Sequence, residues 1–358
     1  MDVKTYNRQQ LRIFIESDEF RHLDNIPITT HRALSQIVNP RCDDEDVLLT
    51  AVYREHRLIG YLGVLPDRIF YNNSGYKCGW LSCFWVDENS RNEPVAATLL
   101  LKIMEAWDYR ILITNFVPNL AALYLRSGMF LPPLTMTGIR GYLRSNLAEI
   151  LPPKNQWFSK IAFFLRFTDH IINAVTDIRF YRIGRMVTGY STPEQLDEKD
   201  EQFICEQNIH SLTRRGAAEL QWIINHPWVK ESKPNEESRR YYFSSVSMKF
   251  RYRLIKISKN EEVSAFALIC IRNQHLTVPY VFSISGYNEL ADILFNLMVK
   301  EKLGRITVFH PDLVKAFTER RFSFLLKKKI QKPYIFSKRL KDVAELKFND
   351  GDGDCAFY

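Results

Sequence analysis

A polar loop in front of a predicted helix offers the clearest chemistry in the sequence. The loop covers residues 87–93 and is followed by Pro94, a residue favoured in the first turn of a helix. The first backbone N–H groups of a helix bind anions, and Arg91 would add a fixed positive charge beside them. The loop therefore predicts a site for a negatively charged ligand, weakened in part by its own carboxylates, Asp87 and Glu88 among them.

The elements that position this loop follow from hydrophobic periodicity. Apolar strands precede the loop and apolar helical faces follow it, with Gly128 as a stop signal. We predict strands at 47–53, 58–70, 80–86 and 111–115, and helices at 94–107 and 120–127.

The same order of elements is predicted a second time in the chain. We expect strands at 252–257, 263–271, 276–284 and 305–309, and helices at 289–302 and 311–320. The sequence thus predicts an α/β fold with a mixed sheet. It also predicts an organisation along the chain: a first domain at 1–150, an amphipathic helical connector at 151–195, a second domain at 196–345 and a solvated acidic tail at 346–358.

The composition is that of a folded globular protein. Of 358 residues, 46% are hydrophobic and 25% are charged, which excludes a disordered chain. The net charge is +8, but residues 151–190 alone carry +4 and residues 315–341 carry +9. Because no zinc, helix-turn-helix or RNA-stacking motif appears, we do not expect nucleic-acid binding as the main function. The localised charge favours a contact with an anionic acceptor or a membrane surface.

No metal site or disulfide framework is expected. The six cysteines include no C-x-x-C pair. No apolar stretch reaches the roughly 18 residues of a membrane-spanning helix, and residues 1–20 lack the apolar core of a secretory signal. We therefore expect a cytoplasmic protein. The helix predicted at 157–178 leaves two alternatives open, packing between domains or a peripheral contact at the inner membrane surface.

Two runs of residues resemble the acyl-CoA core of the GNAT acetyltransferase superfamily. The run 91–96 fits the family's phosphate loop, Arg/Gln-x-x-Gly-x-Gly/Ala, at Arg91 and Ala96, with Pro94 in place of glycine. The family's second motif is matched by Asn119, by Tyr124 and by the glycine that follows Tyr124 four residues later. The stretch 245–340 resembles the same fold without a phosphate loop. Two such domains in tandem resemble bacterial surface-polysaccharide acyltransferases and, more distantly, Fem-type aminoacyl transferases.

The resemblance implies acetyl-CoA or another acyl-CoA as co-substrate. The implied contacts lie along the central strand, the phosphate loop and the second motif: Phe84, Trp85, Val86, Arg91, Asn92, Val95, Ala96, Asn115, Asn119 and Tyr124. In the family a tyrosine at the position of Tyr124 protonates the departing CoA thiolate. A base for the attacking amine is implied at Asp87 or Glu88, with His31 and Asp67 as further candidates.

The resemblance also implies where the acceptor binds and what it is. The family's first helices cover the acceptor pocket, which points to His31, Arg32 and Ser35. The expected function is acyl-CoA-dependent N-acyl transfer to a small-molecule amine, with an amino sugar or nucleotide sugar among the candidate acceptors. A Fem-like aminoacyl transferase and a non-catalytic binding protein on the same fold are the two alternatives.

Overall fold

The computed structural model describes residues 1–71, 74–114, 116, 118–183, 189–260, 262–320, 322–343 and 347–357. The chain divides into two compact units. Unit 1 comprises Met1–Met136, Gln195–Phe250 and Lys332–Tyr358, and unit 2 comprises Thr137–Glu194 and Arg251–Gln331. The units are interleaved along the chain, whereas the sequence predicts consecutive domains with boundaries at 150, 195 and 345. Those domain boundaries stay a prediction.

The first part of unit 1 contains the polar loop 87–93 and the elements around it. They are β1 (Asp2–Tyr6), α1 (Arg8–Glu16), α2 (Asp18–His22), α3 (Thr30–Ile37), β2 (Leu49–Arg54), β3 (Arg57–Tyr71), β4 (Ser74–Val86), α4 (Val95–Ala106), β5 (Ile111–Ile113) and α5 (Pro118–Arg126). Strands β1 to β4 pair in sequence order and antiparallel, and β5 lies parallel to β4. A parallel neighbour needs a crossover, which α4 supplies.

Two apolar clusters hold this sheet in place. One lies under α4, whose buried residues are spaced as one face of a helix, and includes Leu99, Ile103 and Met104. The other joins α1 and α3 to β2 and β3 and includes Leu11, Ile37 and Leu49. The central strands are therefore covered on both faces, as their continuous apolar sequence predicts.

Unit 1 continues with short elements. They are α9 (Glu198–Gln207), α10 (Ala217–Asn225), β8 (Lys230–Glu231), α11 (Glu236–Arg240) and β9 (Val246–Ser247). Of these, α10 and α11 contact α3. Asp197 caps α9 and Asn235 caps α11, each through a capping box. These residues belong to the same compact unit as α3 and β4.

Unit 2 contains the repeated order of elements. The elements from residue 134 to residue 191 are β6 (Leu134–Tyr142), α6 (Leu147–Ile150), α7 (Trp157–Lys160), α8 (Ala162–Ile183) and β7 (Tyr190–Ser191). Those from residue 250 onward are β10 (Phe250–Lys259), β11 (Glu262–Arg272), β12 (His275–Ser283), α12 (Tyr287–Lys300), β13 (Arg305–Val308), α13 (Pro311–Glu319) and β14 (Leu326–Phe336), whose last residues belong to unit 1.

The core of unit 2 follows from this order. Strand β12 pairs antiparallel with β11 and parallel with β13, as β4 does with β3 and β5 in unit 1. Buried residues of β11, β12 and α12 form one apolar cluster, including Ile269, Val278 and Leu294. The mixed α/β architecture predicted from the sequence is thereby confirmed. None of the helices in the described part of the chain has the length and apolarity needed to cross a bilayer.

The acidic C-terminal segment is buried, so the prediction of a solvated tail is wrong. Arg215 donates to the carbonyl oxygens of Gly351 (3.1 Å) and Gly353 (3.0 Å). The ring of Phe357 stacks on Trp228 at a centroid distance of 4.4 Å. At Gly353 the backbone has φ +70°, and a side chain there would collide with Trp80. These contacts supply the partners that the sequence pattern does not reveal.

Replacing Asp352 with asparagine is expected to change how stability depends on pH. Asp352 accepts hydrogen bonds from Thr213 and Asn349, yet burial raises its pKa from 3.8 to about 6. The native state therefore holds this proton more tightly than the unfolded chain. The resulting stabilisation is complete below roughly pH 4 and is lost as the pH rises through 6. The free energy of unfolding of Asp352→Asn, compared with that of the wild type, should therefore rise by about 2–3 kcal/mol as the pH increases from 4 to above 6.

Urea denaturation followed by tryptophan fluorescence, repeated across this pH range, measures the effect. The quantity compared is the free energy of unfolding of the variant minus that of the wild type at each pH. The substitution Asp24→Asn, at an exposed carboxylate of the same unit, serves as the control. A difference for Asp352→Asn that stays constant with pH would contradict the prediction.

Candidate functional site

The end of β4 has an open edge beside the loop 87–93. Within the described part of the chain, β5 pairs with β4 only from Gly79 to Leu81. Beyond Leu81, β4 continues for five residues to Val86 while pairing with β3 on its other side. An extended ligand can add hydrogen bonds to such an edge as a further strand would.

The helix after the loop starts close to this edge. Val95, the first residue of α4, packs over Gly60, which pairs with Val86 at the end of β4. A Cβ atom on Gly60 would lie 2.7 Å from a methyl group of Val95, so glycine is what lets the helix approach the sheet. Pro94 is the N-cap and makes no side-chain capping bond. The first N–H groups of α4 therefore receive no side-chain cap, as an anion site requires.

The charges predicted at the loop are all engaged in ion pairs. Arg91 contacts Glu88 at 2.9 Å, with both side chains more than half exposed. Arg57 contacts Asp87 at 2.9 Å, and Asp87 also accepts a hydrogen bond from the N–H of Asn89. The carboxylates that would repel an anion are thus balanced by arginines. An exposed pair such as Arg91–Glu88 contributes only about 0–1 kcal/mol and is easily exchanged for another partner.

The other residues that the family resemblance implies along the loop differ in their exposure to solvent. Asn92 is exposed and Ala96 is half-buried, so both lie at the surface of the loop and the first helical turn. Val95 is fully buried and serves the packing of α4 on β3. Of the predicted set, Arg91 and the backbone near Ala96 are thus the groups that a ligand could reach.

A β-bulge at Cys83 determines how the end of β4 presents its residues. The register shifts between Tyr61 and Gly63 on β3, and Cys83 has φ +54°, a left-handed conformation that is costly for a side chain other than glycine. Phe84 and Val86 then pack toward the cluster under α4, and Trp85 packs with Cys83 toward the other cluster. Sequence periodicity gives no signal for a bulge here.

Tyr124 lies on α5 and is almost completely buried. Its ring contacts Phe116 and Phe130 edge-on, with centroids 6.3 and 5.6 Å away. Burial raises the pKa of Tyr124, so the phenol keeps its proton at neutral pH. Asn115, predicted beside it, falls outside the described residues, and the structure describes the backbone of Asn119 on α5 but not its side chain.

The three residues predicted for the acceptor pocket lie together on α3. His31 donates from Nε2 to the carbonyl oxygen of Trp228 at 2.8 Å, and burial lowers its pKa. Ser35 donates to the carbonyl oxygen of His226 at 2.7 Å. A neutral, partly buried imidazole fixed by the backbone in this way is a positioning group rather than a ready proton acceptor.

Arg32 connects this helix to the bulge in β4. Its guanidinium donates to Ser82 Oγ at 2.7 Å and also contacts the thiol of Cys83 and the hydroxyl of Tyr241. It lies 4.0 Å from the ring centre of Trp228, in a cation–π contact. The structure therefore brings the predicted acceptor residues and the predicted acyl-CoA strand to one place.

Residues that the sequence analysis missed complete this cluster. Tyr61 and Tyr241 are both buried, and burial raises the pKa of each well above 10. Their rings stack at 6.4 Å, and Trp85 packs on Tyr61 at 5.4 Å. Both phenols remain protonated hydrogen-bond donors at neutral pH. The sequence signal for Tyr241 is the aromatic run at 241–243, which has no catalytic pattern.

Asp67 is not available as a base. Both of its oxygens are engaged, by Arg41 at 2.6 Å and by Arg215 at 2.7 Å, and Trp80 Nε1 donates to it as well. Burial alone would raise the pKa of Asp67, but the two guanidinium groups hold it below the ordinary value. Asp67 therefore organises the interior of unit 1. Among the described residues, no group of three or more His, Cys, Asp or Glu side chains is arranged to hold a metal ion.

Comparison with known proteins gives a structural likeness and no sequence match. No protein-family model matches the chain, and no curated protein matches it. A GCN5-related N-acetyltransferase from Anabaena variabilis ATCC 29413 aligns over 81% of this chain with a TM-score of 0.45 and 10% identity. This chain spans 62% of the length of that protein.

A second solved structure gives the stronger alignment. It is a conserved protein of unknown function from Enterococcus faecalis V583, described as a probable N-acyltransferase. It aligns over 94% of this chain and 71% of its own length, with a TM-score of 0.53 and 10% identity. The mixed sheet and its crossover helices thus form a fold that is shared with this second protein.

Proposed function

We propose that the protein is an N-acyltransferase that uses acetyl-CoA or another acyl-CoA. The observation that carries this proposal is the edge of β4 beyond Leu81, which no described strand pairs with, next to the N-terminus of α4, which no described side chain caps. One extended ligand with a terminal pyrophosphate would fit both features. The fold shared with a probable N-acyltransferase supports the same conclusion.

The residues present suit such a co-substrate. The backbone of Phe84, Trp85 and Val86 would bind the extended pantetheine, and the first N–H groups of α4 with Arg91 would bind the phosphates. Acyl-CoA, when bound, supplies an activated thioester carbonyl for attack by an amine. Pro94 removes one N–H donor at this site, so Arg91 carries more of the phosphate contact.

Arg91 could also control the base. In the structure it is paired with Glu88 at the surface. If Arg91 turns to a phosphate, Glu88 loses its cation and is released to accept a proton from the attacking amine. Asp87 is held by Arg57 and the N–H of Asn89, which makes it the less mobile of the two candidate bases. Tyr124, kept protonated by burial, is the proposed acid for the leaving thiolate.

The proposed acceptor is a small amine, and an amine of an amino sugar or nucleotide sugar of surface-polysaccharide synthesis is the specific candidate. Support comes from the cluster around Arg32, where aromatic faces and a buried guanidinium meet at the bulge of β4. Aromatic faces and fixed hydrogen-bond donors are the groups that orient such ligands. The proposed location is the cytoplasm, with a peripheral contact at the inner membrane surface.

Replacing Arg91 with alanine is expected to weaken acetyl-CoA binding about tenfold, because one charge-assisted contact to a phosphate is lost. Isothermal titration calorimetry measures the dissociation constant directly. The control is Arg12→Ala, which removes an exposed arginine from α1 in the same unit. Arg12→Ala should bind acetyl-CoA as the wild type does.

Other results would redirect the proposal. Equal affinities for Arg91→Ala and wild type would remove Arg91 from the site. If acetyl-CoA does not bind at millimolar concentration, the proposal of acyl-CoA-dependent transfer is refuted. The repeated order of elements in the two units would then favour a Fem-like transfer from aminoacyl-tRNA, and loss of both activities would leave a binding protein on this fold.

A further inference from the structure

One face of α8 exposes large apolar side chains. Their exposed fractions run from 49% to 76%, far above the 9% of Leu165 and the 3% of Phe180 on the same helix. The α8 face consists of Phe163, Phe164, Phe167, Ile171, Val175 and Ile178. Most are three or four positions apart, so they form one continuous stripe. A contiguous apolar patch of this kind marks an interaction site.

The opposite side of α8 is already packed within unit 2, so the stripe is not part of that core. Leu165 and Phe180 are buried there. Asp169 accepts hydrogen bonds from Ser145 Oγ at 2.5 Å and from the backbone N–H groups of Leu147 and Ala148 at 2.8 and 3.0 Å. These contacts fix the rotation of the helix and leave the α8 face outward.

The charges around the α8 face are predominantly positive. Lys154, Lys160 and Arg166 are exposed near one end of the stripe, and Arg179 is exposed near the other. The acidic residues of α8 point into the protein's own contacts: Asp169 to the bonds above and Asp177 to Arg144. A patch that combines exposed phenylalanines with exposed lysines and arginines matches an anionic lipid surface better than a neutral apolar partner.

We propose that the α8 face lies on an anionic bilayer, with its phenylalanines among the upper acyl chains and its basic residues at the headgroup phosphates. Trp157, 55% exposed on α7, would sit at the interface, where tryptophan is favoured. The helix lies on the surface and does not cross it. This inference rests on one part of the proposed function, the peripheral contact with the membrane. It does not depend on the other part, acyl transfer.

Vesicle co-sedimentation tests this surface. The full chain should bind vesicles of phosphatidylcholine with phosphatidylglycerol, and bind phosphatidylcholine vesicles at least about tenfold more weakly. The double variant Phe164→Glu and Phe167→Glu should lose binding to both. The matched control is Ile284→Glu, which changes an equally exposed apolar residue of unit 2 outside the α8 face and should bind as the wild type does.

The electrostatic part has its own pair of variants. Lys154→Glu with Lys160→Glu should weaken binding to the anionic vesicles about tenfold or more and reduce its dependence on salt. Lys328→Glu with Lys329→Glu makes the same charge change on exposed residues of β14. A smaller effect of this control pair, by several-fold, is expected because these lysines belong to strand β14 and not to the α8 face.

Distinct outcomes would overturn the inference. Wild-type protein that does not sediment with anionic vesicles would refute it, as would unchanged sedimentation of the phenylalanine double variant. Self-association of the wild type in the absence of lipid, abolished by that variant, would assign the α8 face to a second copy of the chain. Acetyl-CoA titration of the same variants should match wild type, so failure of lipid binding stays separate from failure of the transferase proposal.

Discussion

Replacing Asp67 with alanine is expected to lower the free energy of unfolding by about 3–5 kcal/mol. Asp67 lies between Arg41 and Arg215, and the three side chains are at most 8% exposed. Removing the carboxylate leaves the buried guanidinium groups of Arg41 and Arg215 close together with one negative charge fewer beside them, although Glu219 still contacts Arg41 at 2.6 Å. Breaking a buried ion network in this way costs more than the network contributes, because the remaining charges stay desolvated.

Chemical denaturation followed by tryptophan fluorescence measures this loss. Five of the six tryptophans belong to unit 1, which makes the signal a report on the unit that contains Asp67. The control is Asp44→Ala, which removes the mostly exposed partner of Arg8 and should cost about 1 kcal/mol or less. A loss for Asp67→Ala no larger than that of the control would show that the network does not stabilise the unit.

Replacing Tyr124 with phenylalanine is expected to lower kcat about 100-fold or more, if the proposed transferase activity is present. A positioned general acid contributes at least this factor, and phenylalanine removes the hydroxyl proton while keeping the ring. The edge-on contacts with Phe116 and Phe130 can then persist, so the fold should be retained. KM for acyl-CoA should change little, because the proton is needed in the transition state and not for binding.

Steady-state kinetics with acetyl-CoA and a panel of small amines provides the readout, with circular dichroism as the check on folding. Tyr53→Phe is the matched control, since Tyr53 is a buried tyrosine of the same unit whose hydroxyl lies 3.4 Å from that of Tyr6. Tyr53→Phe should leave kcat within a few-fold of the wild type. If Tyr124→Phe also does so, Tyr124 contributes only to packing, and the acid must be sought elsewhere.

Local sequence signals account for much of the fold around the candidate site. The apolar strand before Asp87, the polar loop and the apolar face of α4 are short-range patterns, so they place the β4–loop–α4 unit where the structure has it. The position of Arg91 at the loop follows from the same pattern. What this pattern leaves out is the close approach of Val95 to Gly60, because that contact joins two elements through the sheet.

The cluster at the β4 bulge could not be derived in the same way. Arg32 meets Cys83 and Tyr241, which lie 51 and 209 positions away along the chain. Neither the bulge nor the aromatic run has a sequence pattern that pairs it with α3. Only the pairing of β4 with β3 and the packing of residues 226–241 on α3 bring these groups together.

The C-terminal segment shows most directly what sequence and structure each decide. By itself the sequence determines the order of strands and helices, because alternation and helical spacing are local properties of the chain. It also gives the excess of charge in residues 151–190 and 315–341. An Asp-Gly repeat has the composition of a solvated tail, because the sequence does not show which distant groups could neutralise or cover it. Arg215 and Trp228 do so in the structure, and only tertiary packing can supply partners from such distant positions.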